Sequence, residues 1–257
     1  MDTVLAGFTG GLVAALATTA GAIPALIGKS LSQRAADTML GFAAGVMLSA
    51  AYFSLILPGI AAAEVLFGSL VMAAFVAGAG IALGAAFVAW LNAVLPHEHF
   101  LTGREGAEAR ALARIWLFVV AITIHNFPEG LSIGVAFGAG DVASGMSVMT
   151  GISLQDIPEG LAVAVALIGQ GYSRKRAFFV TMATGMVEPV GALLGAAAVS
   201  LSGALLPWGL TFAAGAMLYI ISHEILPETH RSGHQNRATA GLILGVVLMM
   251  ILDVTLG

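Results

Sequence analysis

The sequence predicts an all-α membrane protein that crosses the bilayer eight times, and three observations predict it. Hydrophobic residues make up 59% of the 257-residue chain and charged residues only 9%, and the mean hydropathy is +0.98. Soluble globular domains do not have this composition. Eight apolar runs are close to the ~20 residues that a transmembrane helix needs. All ten basic residues fall in every second connection between these runs.

The eight runs follow one another with mostly short connections. The first run begins after Met1-Asp2-Thr3, which carries no basic residue, so we expect a retained helix and not a cleaved signal peptide. Asp37 precedes the second run and is predicted to be its N-cap. The predicted helices cover 5–27, 39–57, 66–95, 115–137, 146–168, 177–201, 205–225 and 238–256.

The basic residues predict which ends of the helices face the cytoplasm. By the positive-inside rule, the connections that carry them are cytoplasmic, so both termini lie outside the inner membrane. Residues 1–257 then form a single transmembrane domain, whose only long loop is the cytoplasmic connection at about 97–110. The basic residues are Lys29 and Arg34, then Arg104, Arg110 and Arg114, then Arg174, Lys175 and Arg176, and finally Arg231 and Arg237.

Two similar hexapeptides, His125-Asn126-Phe127-Pro128-Glu129-Gly130 and Gln155-Asp156-Ile157-Pro158-Glu159-Gly160, lie in the fourth and fifth predicted helices. At about 1.5 Å per residue, His125 lies about 15 Å from the cytoplasmic end and Gln155 about 14 Å from the outer end. Both copies therefore lie near the bilayer midplane. Because the two helices run in opposite directions, we expect an inverted repeat of three, two and three helices (3+2+3), as in transporters with midplane sites.

Each copy of this motif presents metal-binding side chains in the same order. The first and fifth residues share a helix face as i, i+4 neighbours, and the second residue lies about 100° further round the helix. Each helix can therefore offer ligands to two adjacent points. The candidate ligands in the two copies are His125, Asn126, Glu129, Gln155, Asp156 and Glu159.

The proline and the glycine of each copy have backbone roles. A proline lacks the N–H that the carbonyl four residues earlier would accept, so this carbonyl can turn toward a cation or water. Glycine at positions 130 and 160 allows another helix to approach closely.

Two further helices place candidate ligands at a similar depth, Glu188 before Pro189 in the sixth helix and Met47 in the second. A carboxylate at the centre of a transmembrane helix costs roughly 2.5 to 3.5 kcal/mol on insertion scales. One buried acid can be protonated, but four acids in a duplicated pattern favour a site for two divalent cations, whose charge they would neutralise. The chain contains no cysteine, so thiolate ligands are excluded.

A second group of candidates lies toward the cytoplasm. His223-Glu224 lies near the end of the seventh helix, but Pro227 occupies the place of the second histidine of an H-E-x-x-H motif. Two interpretations of this pair stay open, an exit-side metal site and a solvated helix end. Histidines of the cytoplasmic loops either collect metal that leaves the pore or are simply solvated. These loop histidines are His97, His99, His230 and His234.

The duplicated motif, the eight helices and the His-Glu pair together resemble the ZIP (Zrt-, Irt-like protein) family of divalent metal transporters, in its compact bacterial form. The resemblance implies uptake of zinc into the cytoplasm, with cadmium, iron(II) and manganese as further candidates, and no catalysis. By matching position, it implies one metal held by His125, Glu129, Gln155 and Glu159, with Met47 nearby. A second metal would be held by Asn126, Glu129, Asp156, Glu159 and Glu188.

The second motif copy departs from the family pattern, because many members carry His-Asn where this chain has Gln155-Asp156. An oxygen-rich site is less selective for zinc. The same residues are compatible with two other functions: an intramembrane metalloprotease using His125 or His223, and a proton- or sodium-coupled carrier of another solute. The second alternative lacks a basic residue at the midplane. Carrier and channel mechanisms both stay open, and small residues such as Gly191, Gly195 and Ala198 can serve internal packing or a homodimer.

Overall fold

Eight long helices make up the computed structural model, which describes residues 2–28, 32–94, 97–99, 103–105, 114–169, 172–230 and 233–256. Several helices consist of consecutive segments. The bounds are α1 (Thr3–Gly21 and Ile23–Leu26), α2 (Gln33–Ser49, Ala50–Ile56 and Leu57–Phe67), α3 (Leu70–Val94), α4 (Arg114–Gly138), α5 (Val142–Gly169), α6 (Arg174–Gly185 and Glu188–Leu201), α7 (Leu206–Ile220, Ile221–Ile225 and Leu226–Thr229) and α8 (Gln235–Leu256).

The helices confirm an all-α, multi-pass membrane protein. Within the described residues, six helices are long and apolar enough to cross a membrane. The two motif helices, α4 and α5, have 25 and 28 residues. Between α3 and α4, strands β1 (His97–His99) and β2 (Gly103–Glu105) form a two-stranded antiparallel pair inside the predicted cytoplasmic loop. The structure does not describe the side chains of His97 and His99, so their role stays a prediction.

The second helix differs most from its prediction. It extends from Gln33 to Phe67 and passes Pro58, which lies just after the π-helical segment Ala50–Ile56. Its N-cap is Ser32, whose hydroxyl accepts from the backbone N–H of Ala35. The prediction that Asp37 caps this helix is therefore wrong, because Asp37 lies inside α2 and is buried.

The helix packing has the internal symmetry expected of a 3+2+3 repeat. Extensive packing joins α2 to α8, α3 to α7, α4 to α6, and α1 to α5. Exchanging α1–α3 with α6–α8, and α4 with α5, converts each of these pairs into another pair of the set. The two π-helical turns, Ala50–Ile56 in α2 and Ile221–Ile225 in α7, also lie in exchanged helices.

Glycines bring the backbones of the paired helices into direct contact. A Cβ at Gly84 of α3 would lie 1.9 Å from the carbonyl oxygen of Phe212 in α7, and one at Gly45 of α2 would lie 2.0 Å from that of Leu242 in α8. These close approaches are typical of membrane helices that pack through small residues.

The small residues of α6 serve internal packing. A Cβ at Gly191 would lie 2.6 Å from the carbonyl oxygen of Phe127, and one at Gly195 would lie 2.7 Å from that of Leu131, both in α4. These two glycines are therefore covered by α4 and cannot seat a partner protein. The homodimer itself stays a prediction.

Replacing Gly84 by alanine is expected to destabilise the protein, whereas Gly78→Ala in the same helix is not. A Cβ at Gly78 meets no atom within 4 Å, and alanine favours a helix by about 0.5–1 kcal/mol over glycine. At Gly84 the new methyl group overpacks the α3–α7 contact, which costs about 1–3 kcal/mol or more. Thermal unfolding in detergent measures the difference, and equal midpoints for the two variants would contradict it.

Candidate metal site

The two motif copies meet between α4 and α5. Oxygen atoms of Glu129, Asp156 and Glu159 all lie within 4.8 Å of one another, and the three residues are buried. The Gln155 side chain donates from Nε2 to Oε1 of Glu129 at 2.5 Å. The first carboxylate of the cluster thus belongs to one copy, and the other two belong to the second copy.

Glu188 of α6 joins the same cluster. It opens the second segment of α6, after the break that follows Gly185, and it is fully buried. Its Oε1 accepts from Thr18 Oγ1 at 3.0 Å and from Asn126 Nδ2 at 3.3 Å. The carboxyl group of Asp156 lies beside it. The broken helix thus brings a fourth carboxylate to the two motif copies.

The motif glycines explain how these helices come so close, and the predicted close approach is confirmed. A Cβ at Gly130 would lie 2.1 Å from the carbonyl oxygen of Glu188, and one at Gly160 would lie 2.0 Å from that of Thr18. Each glycine therefore seats the backbone of a neighbouring helix, α6 or α1, against its motif. Thr18 was not predicted, because one threonine in an apolar helix carries no sequence signal.

One oxygen of each of six clustered residues has no hydrogen-bond partner among the described residues. Buried polar atoms are normally paired, and a buried acceptor that lacks a donor is costly. Cations bind such oxygens, and carboxylate and amide oxygens suit divalent metals. The unpaired atoms are Asn126 Oδ1, Glu129 Oε2, Gln155 Oε1, Asp156 Oδ2, Glu159 Oε1 and Glu188 Oε2.

None of the buried residues that the structure describes is a lysine or an arginine that could balance these acids. Four carboxylates would carry four negative charges when ionised. Two divalent cations would neutralise this charge and would also supply the missing partners of the unpaired oxygens.

His125 contacts a residue from outside the motif. Its Nε2 contacts Oε2 of Glu224, and Asn92 Nδ2 of α3 donates to Oε1 of Glu224 at 3.0 Å. Glu224 belongs to the π-helical turn Ile221–Ile225 of α7 and is buried. The sequence places Glu224 near a helix end with His223, but the structure places it inside the bundle. Isolated π turns occur frequently at functional sites.

Met47 is fully buried in the main core cluster, which also contains Ile124, the residue before His125. Its role beside the metal site stays a prediction. The same cluster contains Met217 of α7, whose sulfur lies 3.3 Å from Ser132 Oγ of α4.

The structure describes separate local contacts for three of the cytoplasmic histidines, His223, His230 and His234. His223 is exposed and its ring lies 5.0 Å from that of Tyr219. His230 lies with Nδ1 2.9 Å from the carbonyl oxygen of Leu226. His234 Nδ1 lies 2.8 Å from Oδ2 of Asp37. Each histidine thus has its own local contacts, and a shared exit site stays a prediction.

Comparison with known proteins assigns the fold and the motif to a family. The family described as ZIP Zinc transporter matches residues 95–253. This chain belongs to the ZIP family. The matched segment contains both motif copies, Glu188 and Glu224, so the resemblance read from the duplicated motif is confirmed.

Relatives of this ZIP protein align over almost its whole length. Zinc transporter GufA of Myxococcus xanthus is 47% identical over 252 residues, 98% of this chain and 99% of the relative. Zinc transporter ZIPB of Bordetella bronchiseptica is 48% identical over 248 residues, 96% and 80% of the two chains. Zinc transporter ZIP11 of Homo sapiens is 35% identical over an alignment that covers 93% of this chain and 94% of the relative.

The variant Glu129→Gln is expected to lose most of the bound zinc, because this carboxylate lies between the two motif copies. Glutamine keeps the side-chain volume but removes the charge. Glu64→Gln is the matched control, since Glu64 is an exposed acid at the end of α2. Zinc per chain, measured by elemental analysis and by anomalous diffraction at the zinc edge, should be about two for the parent and the control. A Glu129→Gln variant that keeps two zinc ions would contradict the site.

Proposed function

We propose that this ZIP protein imports zinc into the cytoplasm through a two-ion site between α4, α5 and α6. Its family membership makes it a divalent metal transporter, chiefly of zinc, and not an enzyme. The observation that carries the proposed site is the set of six buried oxygens without partners in a duplicated motif. GufA, ZIPB and ZIP11 are each named zinc transporters, which supports zinc as the cargo.

The first ion position takes one residue pair from each motif copy. Gln155 donates to Glu129, and the charges of His125 and Glu159 lie close enough to interact. The proposed ligands of this position are His125, Glu129, Gln155 and Glu159, with Met47 nearby.

The second ion position adds α6. Asn126 donates to Glu188, whose carboxyl group lies beside that of Asp156. Glu129 and Glu159 lie between the two positions and would bridge both ions. The proposed ligands of this position are Asn126, Glu129, Asp156, Glu159 and Glu188.

The charge distribution supports the proposed orientation. Arg34, Arg114, Arg174 and Arg237 lie within the first three residues of α2, α4, α6 and α8. With these ends in the cytoplasm, both termini lie outside the inner membrane, and transport from outside to inside is uptake.

Neither alternative function has support. A metalloprotease of the H-E-x-x-H type needs a second histidine at the place of Pro227. A carrier of organic anions needs a buried cationic partner, and none of the buried residues in the described part of the chain is lysine or arginine.

Transport is tested with the purified protein in proteoliposomes that contain a zinc-sensitive dye. Glu129→Ala is expected to reduce zinc uptake to the rate of empty liposomes, because both ion positions lose a ligand. Glu64→Ala, at the exposed end of α2, should transport as the parent does. Parental uptake by Glu129→Ala would refute the proposed route.

Metal preference is expected to depend on the imperfect second copy. The double variant Gln155→His and Asp156→Asn reproduces the His-Asn of the first copy, adds an imidazole and removes a carboxylate. Imidazole suits zinc, whereas carboxylate-rich sites suit manganese. The ratio of zinc to manganese uptake in the same proteoliposomes should rise severalfold. An unchanged ratio would place the selectivity elsewhere. Transport of cadmium, iron(II) and manganese by the parent is a prediction of the same assay.

A further inference from the structure

Thr18 of α1 contacts the carboxylate cluster although it belongs to neither motif copy. Its side chain is buried, and its Oγ1 lies 3.0 Å from Oε1 of Glu188 and 3.3 Å from the carbonyl oxygen of Ala14. A hydroxyl has one proton to donate, and a hydrogen bond to an ionised carboxylate is stronger than one to a neutral carbonyl. The Thr18 hydroxyl therefore donates to Glu188.

The next residue, Thr19, shows the bond that a helical threonine usually makes. Its Oγ1 donates to the carbonyl oxygen of Ala15, four residues earlier, at 2.8 Å. Thr19 is also less buried than Thr18. Two adjacent threonines of α1 thus donate to different acceptors, one within its own helix and the other in α6.

Thr18 and Glu188 occupy equivalent positions of the inverted repeat. They lie 170 residues apart, and the same spacing relates the F-A-A-G tetrapeptide at 42–45 in α2 to the F-A-A-G tetrapeptide at 212–215 in α7. This spacing aligns α1 and α2 with α6 and α7 without a gap. The equivalent position therefore carries a hydroxyl in the first half of the repeat and a carboxylate in the second.

The backbone contacts show the same equivalence. The carbonyl oxygen of Thr18 would lie 2.0 Å from a Cβ at Gly160, and that of Glu188 would lie 2.1 Å from a Cβ at Gly130. These two glycines are the last residues of the two motif copies. Each of the two equivalent residues is thus fixed by its backbone against one motif helix, and their side chains meet as donor and acceptor.

The two oxygens of Glu188 have different surroundings. Oε1 accepts from Thr18 Oγ1 and from Asn126 Nδ2, so both of its acceptor positions are used. Oε2 is buried and has no hydrogen-bond partner among the described residues, and the same holds for Oδ2 of the neighbouring Asp156. The lone pairs that remain for a cation therefore lie on Oε2.

We propose that Thr18 is a positioning residue for the second ion position, because it holds Oε1 of Glu188 and leaves Oε2 as the metal ligand. Without the hydroxyl, Oε1 keeps a single donor, Asn126, and the carboxylate is free to rotate. Ligating carboxylates are themselves hydrogen-bonded, and the loss of such a partner lowers metal affinity about 10- to 100-fold. The proposal rests on the proposed two-ion site and adds a residue of α1 to it.

The first test is zinc binding by the full-length protein in detergent, measured by isothermal titration calorimetry. Thr18→Val removes the hydroxyl and keeps the branched shape, and Thr18→Ala removes it with less volume. Each variant should weaken one of the two zinc-binding steps about 10- to 100-fold. Both should still bind two zinc ions at saturation, because no ligand has been removed. Thr18→Ser keeps the hydroxyl and should bind zinc as the parent does.

Thr19→Val is the matched control, because it is the same substitution at the next residue, where the hydroxyl bonds to α1 itself. Its zinc affinity should equal that of the parent. Parental affinity in both Thr18→Val and Thr18→Ala would overturn the proposal. Equal losses in Thr18→Ser and Thr18→Val would also overturn it, since the hydroxyl would then be irrelevant. The loss of one whole zinc ion in Thr18→Val would make the hydroxyl a ligand and exclude a positioning role.

A double-variant comparison shows whether Thr18 acts through Glu188. In the Glu188→Gln background, Thr18→Val should cause no further loss of zinc affinity, because the carboxylate that it positions is already absent. A residue that only maintains the packing of α1 would cause the same loss in both backgrounds. Additive losses would therefore overturn the proposal.

Anomalous diffraction at the zinc edge locates the weakened position. At a zinc concentration that gives two peaks in the parent, Thr18→Val should keep the peak beside His125 and lose most of the peak beside Glu188. An equal decrease of both peaks would overturn the proposal.

The proposed function fails separately from the positioning role. In that case the parent binds no zinc, or Glu129→Gln retains both ions. If Glu129→Gln loses zinc while Thr18→Val matches the parent in affinity and in both peaks, only the positioning role is wrong.

Discussion

The carboxylates of Glu129, Asp156, Glu159 and Glu188 are buried together in the interior of a membrane protein, and no buried lysine or arginine accompanies them among the described residues. In a medium of low dielectric constant, such a group of like charges is not stable unless it binds protons or cations. The surrounding protein contributes only partial compensation, through single donors such as Thr18, Asn126 and Gln155. One oxygen of each acid still lacks a partner. The structure therefore meets the requirements of a cation site in a family of zinc transporters.

The helix packing separates this group of acids from the rest of the bundle. All four carboxylates lie on α4, α5 and α6, and α1 packs against each of these three helices. The other pairs, α2 with α8 and α3 with α7, pack mainly with each other. The contact of His125 with Glu224 crosses from one group to the other. His125 therefore lies at the boundary between two groups of helices.

Composition and charge pattern predicted the eight helices, and the duplicated motif predicted which residues cluster. The position of Glu188 in the sixth helix predicted that it lies at the depth of the motif, because a helix rises by a fixed distance per residue. The missed contacts have a physical reason. The π-helical turns in α2 and α7 change the helical register, so regular 3.6-residue periodicity does not predict which way Glu224 points. Thr18 and Asn92 approach through backbone packing of other helices, which no local pattern encodes.

The asymmetry between the motif copies gives the contacts of His125 their importance. In the first copy an imidazole precedes the asparagine, whereas the second copy offers the amide of Gln155 and the carboxylate of Asp156. His125 is then the only imidazole among the proposed ligands, and oxygen ligands alone distinguish poorly between divalent metals. Selectivity between divalent metals, to which two histidines would otherwise contribute, therefore depends on one imidazole ring. The preference of the proposed site for zinc therefore depends on where this one ring lies, and its contact with Glu224 places it at the boundary between α4 and α7.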